Sequence, residues 1–168
     1  LQHNPGAMLT VAGFGPDELA LRSQVTRLGL DLQVRFVGAV AQAELPALYQ
    51  RATLFVAPFV RARSGDEEGL GLVLVEALAC GCPALVGNVP ALKQVLGDGF
   101  DGLSVDPADP VQMAQKICAV LRDPMSAQAH AMALRQTLLA TFDWSVVAAG
   151  YARVLEESAH DRHASSAF

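Results

Sequence analysis

Short apolar runs alternate with amphipathic segments along this chain, and the alternation predicts its elements. AMLTVAG (7–13) is an apolar run ending in glycine, the pattern of a buried strand. Pro16 and Asp17 then open a helix predicted over 17–29, with Leu19, Leu21, Val25 and Leu28 toward one side and Gly29 at its end. LQVRFVG (32–38) reads as a second strand. AQAELPALYQRA (41–52) is helical, with Pro46 either in its first turn or kinking it. TLFVAP (53–58) is a third strand closed by Pro58.

The segment 59–69 is a polar loop too long for a simple connection. LGLVLVEALACG (70–81) could be strand or helix by period alone, but the helix-forming Glu, Ala and Leu and the stop at Gly81 and Pro83 favour a helix from about Gly71. PALVG (83–87) is a strand, VPALKQVLGDG (89–99) a short helix, and DGLSVDP (101–107) a strand closed by Pro107. From 108 to 158 the signals are helical, and the polar residues 159–168 are expected to form a disordered tail. The pattern is that of an α/β domain over 1–158, a parallel sheet with helices on both faces followed by a helical C-terminal segment. Such sheets bind ligands beyond the carboxyl ends of their strands, which directs attention to the loops 13–16, 38–40, 58–71 and 87–90.

Glu76 interrupts the apolar helix 70–81, and Glu68 stands just before it. Eight residues correspond to about 12 Å of helix rise and about 80° of rotation, so both carboxylates can look to one side. Between them lies a helix N-terminus, with unbonded N–H groups and partial positive charge, where Gly69 and Gly71 allow close approach to the backbone. A ligand with hydroxyls at both ends and phosphate in the middle fits this spacing, as a nucleotide sugar does. The plain alternative is a salt-bridged Glu76 and a Glu68 that only begins a helix.

Composition narrows the choice. Apolar residues are 52% and charged residues 17% of 168, the balance of a globular domain. The net charge of −5 argues against a nucleic-acid partner and requires that an anion be held locally. No uninterrupted apolar run reaches the roughly 18–20 residues of a membrane span. Cys80, Cys82 and Cys118 sit in apolar surroundings and read as buried thiols in a reducing compartment. His160 and His163 stand in the polar tail, His3 and His130 lack evident acidic partners, and no metal site is expected. Gly13-Phe14-Gly15-Pro16 lacks the third glycine of a dinucleotide fingerprint and reads as a tight strand-to-helix turn lining the site. Asp143 is a helix N-cap candidate, and Trp144 is expected to anchor the last helix to the core.

Six segments in order, spread over residues 5–158, carry a family resemblance: PGAMLTVAGFGPDELALRSQVTRLGL, VRFVGAV, ELPALYQRATLFVAP, EGLGLVLVEALACGCPALV, DGFDGLSVDPADPVQMAQKI and FDWSVVAAGY. The chain resembles the C-terminal, donor-binding half of the GT-B retaining glycosyltransferases of the group 1, or family 4, type. The resemblance implies a Rossmann-like fold and transfer of a hexose from a nucleoside diphosphate sugar, UDP or GDP type, to an acceptor hydroxyl in glycan, lipid or envelope polysaccharide synthesis. It implies no cofactor and no metal. It assigns Glu68, the candidate catalytic residue, to the hexose hydroxyls and Glu76 to the ribose. The N–H groups of Leu70, Gly71, Leu72 and Val73 fall to the diphosphate, and Gly69 belongs to the same donor-binding stretch. Gly38, Ala39 and Val40 match the loop beside the nucleobase, and Gly13 and Gly15 line the donor site.

The chain departs from that family in three places. Where the family has Gly-Gly and Pro-Glu, this sequence has Pro90-Ala91 and Lys93-Gln94; loop 59–67 is long and carries Arg61, Arg63, Asp66 and Glu67. The family's first strand and helix, and its acceptor-binding half, have no counterpart here, so the chain is expected to be a fragment that transfers nothing alone. The parent protein is expected in the cytoplasm, at the inner membrane face if its acceptor is a lipid. Two alternatives remain open: a sugar-nucleotide epimerase of the same architecture, and a non-catalytic nucleotide-sugar-binding paralogue.

Overall fold

The computed structural model describes residues 4–59, 71–87 and 90–165, with side chains of Leu92 and of 158–165 left aside. The chain divides into two compact units, Leu1–Arg51 and Ala52–Phe168.

The first unit holds β1 (Leu9–Ala12), α1 (Glu18–Arg27), β2 (Val34–Gly38) and α2 (Leu45–Arg51). β1 and β2 run parallel, with Leu9 opposite Val34 and Val11 opposite Phe36, and the register then slips to set Ala12 against Gly38. The C-terminus of α1 is closed locally. Gly29 adopts a φ of 67°, its N–H donates to Thr26 O at 3.0 Å, and the N–H of Leu30 reaches back to Val25 O at 3.0 Å. That pair of bonds satisfies carbonyls the helix leaves orphaned. Pro46 is the second residue of α2, in the first turn, where its missing N–H interrupts no helical bond. The expected apolar side of α1 is not buried: Leu19, Leu21 and Leu28 are all exposed. A two-stranded sheet offers little surface to cover them. The guanidinium of Arg22 instead lies 4.3 Å from the Phe36 ring centroid and pairs with Glu18 at 2.8 Å.

The second unit holds β3 (Phe55–Ala57), α3 (Leu72–Ala79), β4 (Ala84–Val86), α4 (Pro90–Leu96), a 3₁₀ turn (Gly97–Phe100), α5 (Pro110–Arg122), α6 (Pro124–Phe142) and α7 (Trp144–Ser165). β3 and β4 are parallel, Phe55 opposite Ala84 and Ala57 opposite Val86. The strand expected over 101–107 is reduced to one parallel bridge between Val86 and Ser104. Its hydrogen bonds are Val86 N–H to Leu103 O at 2.9 Å and Val105 N–H to Val86 O at 2.8 Å. The N–H groups of Leu103 and Ser104 both bond the Phe100 carbonyl, so the turn runs up to the bridge and only the residues just before Pro107 are left extended. Among the described residues the strands thus form two parallel pairs, within the mixed α/β architecture the sequence predicts. Leu74, Leu78, Val86, Phe100, Leu134 and Leu138 form the core, drawn from α3, β4, the 3₁₀ turn and α6.

The C-terminal helices start where short-range chemistry dictates. Asp109 Oδ1 accepts from the N–H of Val111 at 3.0 Å and of Gln112 at 2.9 Å, with Pro110 at the first helical position. Asp123 ends α5 and caps α6, accepting from Ser126 N–H at 3.1 Å. Asp109→Ala should cost about 1 kcal/mol, read as a lower melting temperature, because two first-turn donors lose their acceptor. An unchanged melting temperature would show that water replaces the cap without loss.

Asp143 accepts from Ser145 N–H at 2.8 Å and turns the chain into α7. Trp144, expected to anchor that helix, is 84% exposed, because the extended backbone at Asp143 swings the first helical residue outward. α7 continues to Ser165, past the boundary expected at 158. Of the three cysteines only Cys82 is buried, and burial pushes its thiol up to about 11. Cys80 and Cys118 are half-buried. By length and composition alone, the stretch Pro124–Glu157 contains an 18-residue window apolar enough to span a membrane, with a mean hydropathy of 1.2. The stretch is two helices joined at Asp143, and α6 packs Ala131, Leu134 and Leu138 into the core.

Candidate functional site

The start of α3 is built by one backbone choice. Gly71 adopts a left-handed conformation, φ 69° and ψ 50°, immediately before the first helical residue. A side chain there would meet its own backbone, so glycine suits the position. The Gly71 carbonyl accepts from Leu74 N–H at 2.8 Å and from Val75 N–H at 3.3 Å. The N–H groups of Leu72 and Val73 have no intrahelical carbonyl to bond, and they point out of the positive end of the helix dipole.

Burial sorts the helix into two sides. Leu74, Ala77 and Leu78 face the core. At about 100° per residue, Glu76 falls nearly opposite them, between Leu72 and Val73 in angle. Leu72 is 62% and Val73 40% exposed, and Glu76 is half-buried. The described residues contain no fully buried charged side chain. The run is apolar all round, but only one side of the helix is covered. The exposed Leu72 and Val73 and the half-buried Glu76 share the side of the helix that begins at the buried Gly71: features that suit an anionic ligand carrying hydroxyls.

Cys80, one turn beyond Glu76, senses the local field. Burial raises its thiol, Glu76 raises it further, and Arg135 pulls it back. Arg135 was not apparent from the sequence. Its Nε donates to Ala79 O at 2.7 Å from α6, 56 residues away in the chain, and only a repeated seven-residue spacing with Gln128 hinted at a shared face.

Glu68, Gly69 and Leu70, with Arg61, Arg63, Asp66 and Glu67 of the long loop, lie outside the described residues. Gly71, Leu72, Val73 and Glu76 come together on α3 as the sequence predicts. The other predicted positions belong to the first unit. Gly13, φ 105°, donates its N–H to Gly38 O at 2.7 Å, and Gly38 has φ 67°. The carboxyl ends of β1 and β2 are thereby tied at two glycines. Gly15 accepts from Glu18 N–H at 3.2 Å at the entry to α1; Ala39 is exposed and Val40 half-buried. Of the departures from the family pattern, Pro90 opens α4, and Lys93 pairs with Asp101 at 3.0 Å while remaining exposed. Among the described residues no cluster of three or more His, Cys, Asp and Glu could hold a metal ion.

Comparison with known proteins agrees with this architecture. The chain is 37% identical over 151 residues to glycogen synthase of Mycobacterium tuberculosis, covering 90% of this chain and 35% of that protein. It is 32% identical over 161 residues to the GDP-mannose-dependent alpha-(1-6)-phosphatidylinositol monomannoside mannosyltransferase of Mycolicibacterium smegmatis, covering 95% of this chain and 42% of that protein. Among solved structures it superposes on sucrose-phosphate synthase from Thermosynechococcus elongatus with a TM-score of 0.78 at 26% identity, over 95% of this chain and 40% of that one. It also superposes on the Anabaena protein HepE in complex with UDP-glucose, with a TM-score of 0.77 at 25% identity, over 91% of this chain and 42% of that one. The chain spans well under half the length of these relatives, and its fold is that of the GT-B glycosyltransferases. Residues 1–137 match the family's own profile, and the chain belongs to the glycosyl transferases group 1.

Proposed function

We propose that this chain is the donor-binding part of a retaining glycosyltransferase that moves a hexose from a nucleoside diphosphate sugar to an acceptor hydroxyl. The observation that carries the reading is the start of α3, where a left-handed Gly71 precedes the first helical residue and a half-buried Glu76 lies on the same side as the exposed Leu72 and Val73. In this reading the diphosphate sits against the N–H groups of Leu72 and Val73, and Glu76 accepts hydrogen bonds from the ribose diol. Glu68 takes the hexose hydroxyls. UDP-glucose in HepE and the GDP-mannose dependence of the mannosyltransferase relative support a donor of this class.

The bond from the anomeric carbon to the diphosphate oxygen breaks, and the bond to the acceptor oxygen forms on the same face of the sugar. The acceptor proton passes to the departing phosphate. The groups described here contribute positioning and stabilisation of the negative charge that grows on the leaving diphosphate. No metal or cofactor enters this scheme. The reaction belongs to the longer protein, whose remaining part binds a sugar or lipid acceptor, and it is placed in the cytoplasm or at the inner face of the membrane.

Titration of the chain with UDP, GDP and ADP tests the reading. One of the three should bind, and Glu76→Ala should weaken it at least about tenfold, the loss expected when a charge-assisted pair of hydrogen bonds is removed. If none binds at millimolar concentration, or the variant binds as tightly as the parent, the assignment fails.

A further inference from the structure

α3 packs into the core through Leu74, Ala77 and Leu78, with Val75 partly buried against the same cluster. That packing decides which side of the eight-residue helix is covered, and directional hydrogen bonds can fix its finer aim. Directional ties are found at the C-terminal end. Arg135 Nε donates to Ala79 O at 2.7 Å, and Gln128 Nε2 donates to Gly81 O at 2.7 Å. Ala79 is the last residue of α3, and Gly81 stands two beyond it in the left-handed conformation, φ 76°. The Ala79 carbonyl is among those a helix leaves unbonded at its end, the Gly81 carbonyl belongs to the turn that follows, and the guanidinium adds a positive charge where the dipole is negative.

Gln128 and Arg135 are seven residues apart, about two turns, and therefore share one side of α6. Ala131, Leu134 and Leu138 on that helix are buried in the core. Met132, which lies between Gln128 and Arg135 in the chain, brings its Sδ within 2.9 Å of where a Cβ at Gly81 would stand. The α6 surface thus grips the end of α3 at two carbonyls, one turn beyond Glu76. The guanidinium and the carboxylate are near enough to act on the same Cys80 thiol, in opposite senses.

We propose that Arg135, with Gln128, is a positioning residue that sets the rotational register of α3 and so the aim of Glu76 and of the helix N-terminus. This rests on the donor-binding reading of α3 and adds the part of the protein that keeps the site aligned. Arg135 touches no ligand; it acts through the helix.

A double-mutant cycle on nucleoside diphosphate binding tests it. The probe is whichever of UDP, GDP and ADP binds the parent chain, measured well below the melting temperature of each variant. Arg135→Met keeps the aliphatic stem and removes the charge and donors; it should weaken binding about tenfold, a coupling within the range seen for residues joined in one network. Arg135→Lys, which keeps the cation, should recover a large part of that. In the Glu76→Ala background, Arg135→Met should add little, because the group it aims is gone. Unchanged binding in folded Arg135→Met, or a loss that adds fully to that of Glu76→Ala, overturns the inference while leaving the donor reading intact. If Arg135→Met does not fold, Gln128→Leu must show the same non-additive loss, and full additivity there overturns it equally. A parent chain that binds none of the three diphosphates removes the donor reading, and the positioning role with it.

Discussion

Phe100→Ala should destabilise the protein by about 3–5 kcal/mol, the range for deleting a buried phenyl ring. The ring is 1% exposed and packs in the cluster with Leu74, Leu78, Val86, Leu134 and Leu138. It enters from the end of the 3₁₀ turn, a rigid support, since the Phe100 carbonyl accepts from Leu103 N–H at 2.9 Å and Ser104 N–H at 3.1 Å. Those bonds limit how far the backbone can collapse into the space a methyl group leaves. Domains of this size are stable by about 5–15 kcal/mol, so the variant loses a large part of the total. Denaturant unfolding reads the change as a lower midpoint at constant slope. A loss below about 1 kcal/mol would mean that neighbouring side chains refill the cavity, and that the core is looser than its burial indicates.

Gly87→Ala should cost about 2–3 kcal/mol for a steric reason. A Cβ at Gly87 would stand 2.4 Å from Phe59 O and 2.9 Å from Phe59 N, both backbone atoms. Neither strand end can give way freely. Gly87 N–H bonds Ala57 O at 3.0 Å, and Phe59 N–H bonds the same oxygen at 2.8 Å. The added methyl must therefore part the carboxyl end of β3 from that of β4. Gly150→Ala is the contrasting substitution. Gly150 lies inside α7 with nothing within 4 Å of an added Cβ, so alanine should stabilise by about 0.5–1 kcal/mol through helix propensity. Equal melting temperatures for the two variants would show that the approach of Phe59 to Gly87 does not restrain the strands.

The order and type of the elements were legible because their signals are local. Pro110 after Asp109 and Pro124 after Asp123 mark helix starts within two residues, and both carboxylates cap as that chemistry predicts. The Glu, Ala and Leu of 76–79, with the stop at Gly81, made α3 a helix where period alone left strand open. The segment 101–107 misled because its alternating apolar residues satisfy a strand pattern, yet Leu103 and Val105 reach the core from a single bridge to Val86. Trp144 misled for a related reason: a large aromatic is usually placed inside, but its side is set by the backbone turn at Asp143.

The sequence by itself determined that residues 71–79 form an apolar helix entered through a glycine and bearing one carboxylate, because those properties depend on neighbours within one turn. Only the tertiary structure decided which side of that helix is open. Leu72, Val73 and Leu74 are chemically alike, and β4, the 3₁₀ turn and α6 cover Leu74 while leaving the other two exposed with Glu76 between them. The ties from Gln128 and Arg135 likewise join residues 47 and 56 positions apart. Helix formation is a property of adjacent residues. Burial and register are properties of surfaces that distant parts of the chain bring together, and no local pattern in 71–81 records which surfaces arrive.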